Sequence, residues 1–189
     1  MDFSVYIVVD VSGSMKEMGK VHLLRNLCRY ANQLVKIDQE NYAGLEIGIF
    51  GWGQNILKIN PQNSGDLPVF LPGDSISFDA LSNFLSKPVS EFEDLKVLIL
   101  SDGNFERDGL ANFIKWTSGQ KRLLIRTVAI GADANLFNLK KISTNDTVFE
   151  AENITSAFNS TIWGTDEPLT APKSIAQILR AETEDNWDA

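Results

Sequence analysis

In Asp10-Val11-Ser12-Gly13-Ser14, three oxygen-bearing side chains fall at alternate positions, directly behind the apolar run from Val5 to Val9. Successive side chains of a strand point to opposite faces, so Asp10 and Ser12 lean the same way where the strand ends. Gly13 allows a turn that returns the Ser14 hydroxyl to their side, because glycine adopts backbone angles that other residues resist. One carboxylate and two hydroxyls make an all-oxygen set, suited to Mg2+, Mn2+ or Ca2+ far more than to zinc or copper. The chain offers one His and one Cys, His22 and Cys28, for any softer site. A second acid, Asp102, stands in Ser101-Asp102-Gly103, where another apolar run stops.

The elements that must position these groups can be read from periodicity. Val21, Leu24, Leu27, Cys28, Ala31, Leu34 and Val35 repeat as one helical face and predict a helix over 20–37. Leu45, Ile47 and Ile49 alternate, Gly51-Trp52-Gly53 reads as a hairpin turn, and Ile56, Leu57 and Ile59 return as a short strand. Residues 60–74, with Pro61, Gly65, Pro68, Pro72 and Gly73, form a loop ahead of a helix carrying Phe78, Leu81, Phe84 and Leu85. Leu95 to Leu100 is apolar apart from Lys96, as for a strand covered on both faces. A helical face at Leu110, Phe113, Ile114 and Trp116 and a strand over 123–130 follow. Alternating strands and helices predict an α/β three-layer sandwich around a mainly parallel sheet. In such sheets ligands bind beyond the carboxyl ends of the strands, where Asp10 and Asp102 both fall.

Composition narrows the function. A chain of 189 residues, 43% of them apolar, buries one core and reads as one principal domain. A formal charge of −8 argues against nucleic acid and anionic membranes as partners. Lys121, Arg122 and Arg126 are the nearest approach to a basic cluster and read as a solvated strand edge. The lone Cys28 forms no internal disulfide, which fits a reducing, cytoplasmic setting. Neither a basic leader nor a long apolar run is visible, so neither a signal peptide nor a membrane span is expected.

The pattern resembles the von Willebrand factor A domain and its metal-ion-dependent adhesion site. Asp10-Val11-Ser12-Gly13-Ser14 matches the family's Asp-x-Ser-x-Ser, and Ser101-Asp102-Gly103 its later Asp-Gly element. Residues 131–135 with Leu139-Lys140-Lys141-Ile142, and then 148–158, are similar to the family's closing elements, so the resemblance covers about residues 3 to 163. It implies a domain over 1–165 and an extension over 166–189. It also implies metal ligation by Asp10, Ser12, Ser14 and Asp102, with Ser75 in place of the family's loop threonine. Asp74 stands where a glycine is usual, which leaves Ser77 as an alternative ligand and Asp74 as a third carboxylate. The implied cofactor is Mg2+, with Mn2+ or Ca2+ as alternatives, its open position filled by an Asp or Glu of a partner protein.

Simpler roles compete at several positions. Ser75 could be a helix N-cap, Asp133 could cap the helix that follows it, and Cys28 falls on an apolar face as a core residue. In the extension, Ser174-Ile175-Ala176-Gln177 has the form of a capping box for a short helix. Behind it an acidic end surrounds Trp187, as a frayed terminus or a docking peptide. The resulting expectation is a non-enzymatic, metal-dependent adaptor of a bacterial cytoplasm, whose partner is an ATPase, kinase or phosphatase of the same system. Two alternatives are a degenerate scaffold of the same fold and a Mg2+-dependent phosphohydrolase with Asp10 as nucleophile. The second needs a general acid two residues on, where this chain has Ser12.

Overall fold

Each apolar run becomes a strand and each 3.6-residue stripe a helix. The computed structural model describes residues 3–62, 66–91, 94–106 and 108–165. In order, the elements are β1 (Phe3–Asp10), α1 (Lys20–Ile37), β2 (Leu45–Trp52), β3 (Ile56–Lys58), α2 (Phe78–Glu91) and β4 (Leu95–Ser101). They continue with α3 (Leu110–Ser118), β5 (Leu123–Ala129), α4 (Leu136–Ile142), β6 (Val148–Glu150) and α5 (Ile154–Trp163). The strands form one sheet in the order β3-β2-β1-β4-β5-β6. All neighbours run parallel except the β2–β3 hairpin at the edge.

Two cores make the three layers. On one face Val5, Ile7 and Val9 of β1 and Leu98 and Leu100 of β4 pack with Leu24, Leu27, Cys28 and Ala31 of α1 and Ala157 and Phe158 of α5. On the other, Val8 and the alternate β4 residues Val97 and Ile99 pack under Leu81 and Leu85 of α2, Phe113 of α3 and Leu139 of α4. β1 and β4 therefore feed both cores, which is why their sequences are nearly continuous apolar runs. Each large aliphatic side chain removed from water there contributes about 1.5–3 kcal/mol.

Two expectations change. The hairpin is present, but Gly51 and Trp52 belong to β2, paired with Leu57 and Ile56, and the turn begins at Gly53. Trp52 is completely buried, stacked edge-on against Phe78 with ring centroids 5.1 Å apart. Its burial beneath α2 outweighs the turn preference of the flanking glycines. Arg126 is no solvated edge either: β5 lies inside the sheet, and the guanidinium is fully buried. It donates to Ser160 Oγ at 2.9 Å, to the Thr144 carbonyl at 2.6 Å and to the Thr165 carbonyl at 3.3 Å, tying the end of α5 to β5. The short helix and acidic end expected over 166–189 lie outside the described residues. Among the described residues no helix is long and apolar enough to cross a membrane.

Candidate metal centre

The chain leaves β1 for β2 on one side of the sheet and returns through β4 on the other, so strand order reverses between β1 and β4. The carboxyl ends of those two strands carry Asp10 and Ser101-Asp102. Parallel pairing of Val9 with Leu100 sets these ends side by side. Asp10 is buried, and both its oxygens are oriented. Oδ1 accepts the Ser12 amide at 2.7 Å and Oδ2 accepts the Ser101 hydroxyl at 2.6 Å. Burial raises the Asp10 pKa, against the pull of the Ser101 and Ser12 hydrogen bonds, and the Asp102 charge adds to the rise.

Behind Asp10 the chain enters a single 3-10 turn, Gly13–Lys16, which sets the Ser12 and Ser14 hydroxyl oxygens 3.1 Å apart. Two ligands at right angles around a magnesium ion, each at about 2.1 Å, would be about 3.0 Å apart. The hydroxyl pair thus has the spacing of two neighbouring ligands, and the all-oxygen set fits a hard divalent cation. Gly13 serves a different purpose from the one its sequence suggests. Its φ is not positive; a Cβ there would stand 3.1 Å from the Asp74 carbonyl oxygen, so glycine is needed for close approach of the neighbouring loop.

That neighbouring loop carries Ser75, and backbone hydrogen bonds stitch it to the Asp10–Ser14 segment. The Gly13 amide donates to the Asp74 carbonyl at 3.1 Å, and the Gly73 amide to the Val11 carbonyl at 2.6 Å. Ser75 Oγ is half-buried and accepts from Gln54 Nε2 at 2.5 Å. Ser77 serves the helix instead, its hydroxyl accepting the Ala80 amide at 3.1 Å at the start of α2, the geometry of a helix cap. The capping role considered for Ser75 belongs to Ser77, because the helix begins at Phe78. Among the described residues no three His, Cys, Asp or Glu side chains gather into a metal-holding group, and Asp74 is exposed.

The structure adds a residue that periodicity and motif did not single out. The Lys20 ammonium is buried at the start of α1 and donates to Asp102 Oδ2 and to Asp133 Oδ2, at 2.8 Å each. Burial opposes its charge, yet the hydrogen bonds it donates to Asp102 and Asp133 prevail and raise its pKa. The Lys20 hydrogen bond in turn lowers the pKa of Asp133. Asp102 Oδ1 accepts the Asn104 amide at 2.9 Å. The expected cap at Asp133 is therefore replaced: Asn135 caps α4 through its side chain, and Asp133 holds Lys20. Gly131 leaves room for the lysine, since a Cβ there, at φ +90, would meet Lys20 Cε at 2.7 Å. A sequence signal for Lys20 existed. It lies four residues before Leu24 on the apolar stripe, in a first helical turn where cations are disfavoured.

Sequence comparison finds no matching family model and no matching curated protein. Comparison of folds finds several. The ArnB paralog VWA2 of Sulfolobus acidocaldarius is 18% identical with a TM-score of 0.62, over 85% of this chain and 44% of that one. Proximal thread matrix protein 1 from the mussel byssus, in a structure with a zinc-occupied MIDAS motif, is 11% identical with a TM-score of 0.55, over 84% and 44%. A von Willebrand factor type A protein of Catenulispora acidiphila is 14% identical with a TM-score of 0.55, over 89% and 43%. This chain spans less than half the length of each of those three. At such identities the likeness is one of fold.

Proposed function

Given a von Willebrand factor A-type fold, we propose that this chain is a metal-dependent protein-interaction module. Asp10, Ser12, Ser14, Ser75 and Asp102 would hold a divalent cation, Mg2+ first and Mn2+ or Ca2+ as alternatives. The observation that carries the reading is the hydroxyl pair of Ser12 and Ser14, 3.1 Å apart beside an oriented, buried Asp10 at the switch point of the sheet. The cation supplies an electrophilic site that a partner's Asp or Glu completes. The chain's own residues orient the carboxylates, keep neutral hydroxyls beside them and exclude water behind. Support from the neighbours is limited to a zinc-occupied motif of this type in the mussel protein and a pilus adhesin, SpaC of Lactobacillus rhamnosus GG, of the same fold.

A phosphohydrolase role is disfavoured by Ser12, whose hydroxyl pairs with Ser14 and has no acidic proton to give a leaving group. By analogy with the family it resembles, the partner we infer is an ATPase, kinase or phosphatase of a bacterial system, and the single buried Cys28 fits a cytoplasmic setting for it. The test is a calorimetric titration of Mg2+ and Mn2+ into wild type and Asp10→Ala, paired with partner capture with and without EDTA. Binding should vanish in Asp10→Ala, and capture should need both metal and one Asp or Glu of the partner. Absence of metal binding by the wild-type chain would overturn the proposal.

A further inference from the structure

A lysine is an expensive residue to bury, since an ammonium taken out of water loses several kcal/mol of hydration. Lys20 is buried all the same, and at a helix N-terminus, where the helix dipole adds a further penalty. Both costs are met by carboxylates. One of them, Asp133, is half-exposed and needs no partner to stay charged. The other, Asp102, is completely buried, and Lys20 is its ion-pair partner among the described residues. Asp10, by contrast, has no cationic partner among the described residues; it accepts from the Ser12 amide and the Ser101 hydroxyl.

We propose that Lys20 is a tethered counter-cation of the metal centre, which holds Asp102 while the site is empty and lowers its affinity for a divalent cation. The inference rests on the metal reading given above. Asp10, Asp102 and Asp133 with the Lys20 ammonium make three carboxylates and one cation, which carry two net negative charges when all are ionised. A divalent cation brings this to neutrality, and the ammonium opposes its entry by offsetting one of the carboxylates that would draw it in. Without the ammonium, the three carboxylates would attract the metal more strongly. Gly131, whose lack of a side chain admits the lysine stem, belongs to the same device.

The experiment is calorimetric titration of Mg2+ into the full chain as wild type, Lys20→Gln, Lys20→Arg and Asp10→Ala, with thermal melts in EDTA and in saturating Mg2+. Like charges held a few ångströms apart in a partly desolvated site repel strongly, so Lys20→Gln should bind Mg2+ roughly tenfold more tightly. Lys20→Arg, which keeps the charge, should stay near wild type. In EDTA, Lys20→Gln should melt below wild type, because Asp102 has lost its partner, and Mg2+ should raise its melting temperature by more than it raises that of wild type. A folded Lys20→Gln chain that binds Mg2+ no more tightly than wild type overturns the proposal while leaving the metal reading intact. Absence of Asp10-dependent binding in every variant overturns the metal reading and this proposal with it. Should Lys20→Gln fail to fold even with Mg2+, the lysine ammonium resonances of the wild-type chain decide: the Lys20 signal shifts as Mg2+ saturates the site, or the proposal fails.

Discussion

Replacing Asp10 by Asn should strengthen the metal-free fold while abolishing metal binding. The carboxylate accepts two short hydrogen bonds, from the Ser12 amide at 2.7 Å and the Ser101 hydroxyl at 2.6 Å. An Asn oxygen keeps the first. Its amide can donate to Ser101 Oγ, reversing the second. Exchanging two charge-assisted bonds for two neutral ones costs about 1 kcal/mol each. Against this stands the cost of a buried charge without an ion-pair partner, several kcal/mol. The raised Asp10 pKa, caused first by burial and then increased by Asp102, gives the sign: the folded chain favours the uncharged form. The net expectation is about 1–2 kcal/mol of added stability, or roughly 2–8 °C in melting temperature for a domain of this size. Urea unfolding in EDTA, followed by tryptophan fluorescence, to which the buried Trp52 contributes, measures it against wild type. In saturating Mg2+ the wild type should gain stability and Asp10→Asn should not. A loss of about 1 kcal/mol or more in EDTA would refute the reasoning, because the hydrogen bonds would then outweigh the burial of the charge.

Two further substitutions separate the neighbouring serines. Ser77→Ala removes the α2 cap and should cost about 1 kcal/mol in urea unfolding with Mg2+ affinity unchanged. Ser75→Ala should weaken Mg2+ binding in calorimetry and leave stability within about 0.5 kcal/mol. The thiol of Cys28 gives a pH prediction. Burial raises its pKa, so the folded chain keeps the proton while the unfolded chain loses it near about pH 8.5. The unfolded state gains on alkaline titration, and stability should fall as pH rises above that value. Ellman's reagent should accordingly label the single thiol no faster than the chain opens, which stopped-flow mixing with and without urea can check.

The order of elements was legible because burial on a parallel sheet leaves a strong mark: β1 and β4 serve two cores and read as apolar runs, and α1 begins and ends where its stripe does. Asp10, Ser12 and Ser14 could be read together for a related reason, since they are near neighbours in sequence and the strand end and the 3-10 turn behind it are local geometry. What depends on distant parts of the chain was not. Trp52 looked like turn and proved to be core, because Phe78 and the α2 cap close over it.

Sequence alone thus determined the sandwich, the strand ends and the oxygen chemistry of the first loop, all set by local periodicity and residue type. Only the tertiary structure decided which charges meet. Lys20 and Asp102 are separated by 82 positions, Lys20 and Asp133 by 113, and no local pattern records such a pairing. Arg126 is set by the same kind of long-range contact, drawn into the interior by the end of α5. The physical reason is that burying a charge costs least beside groups that compensate it, and those groups are chosen by the fold that brings them together.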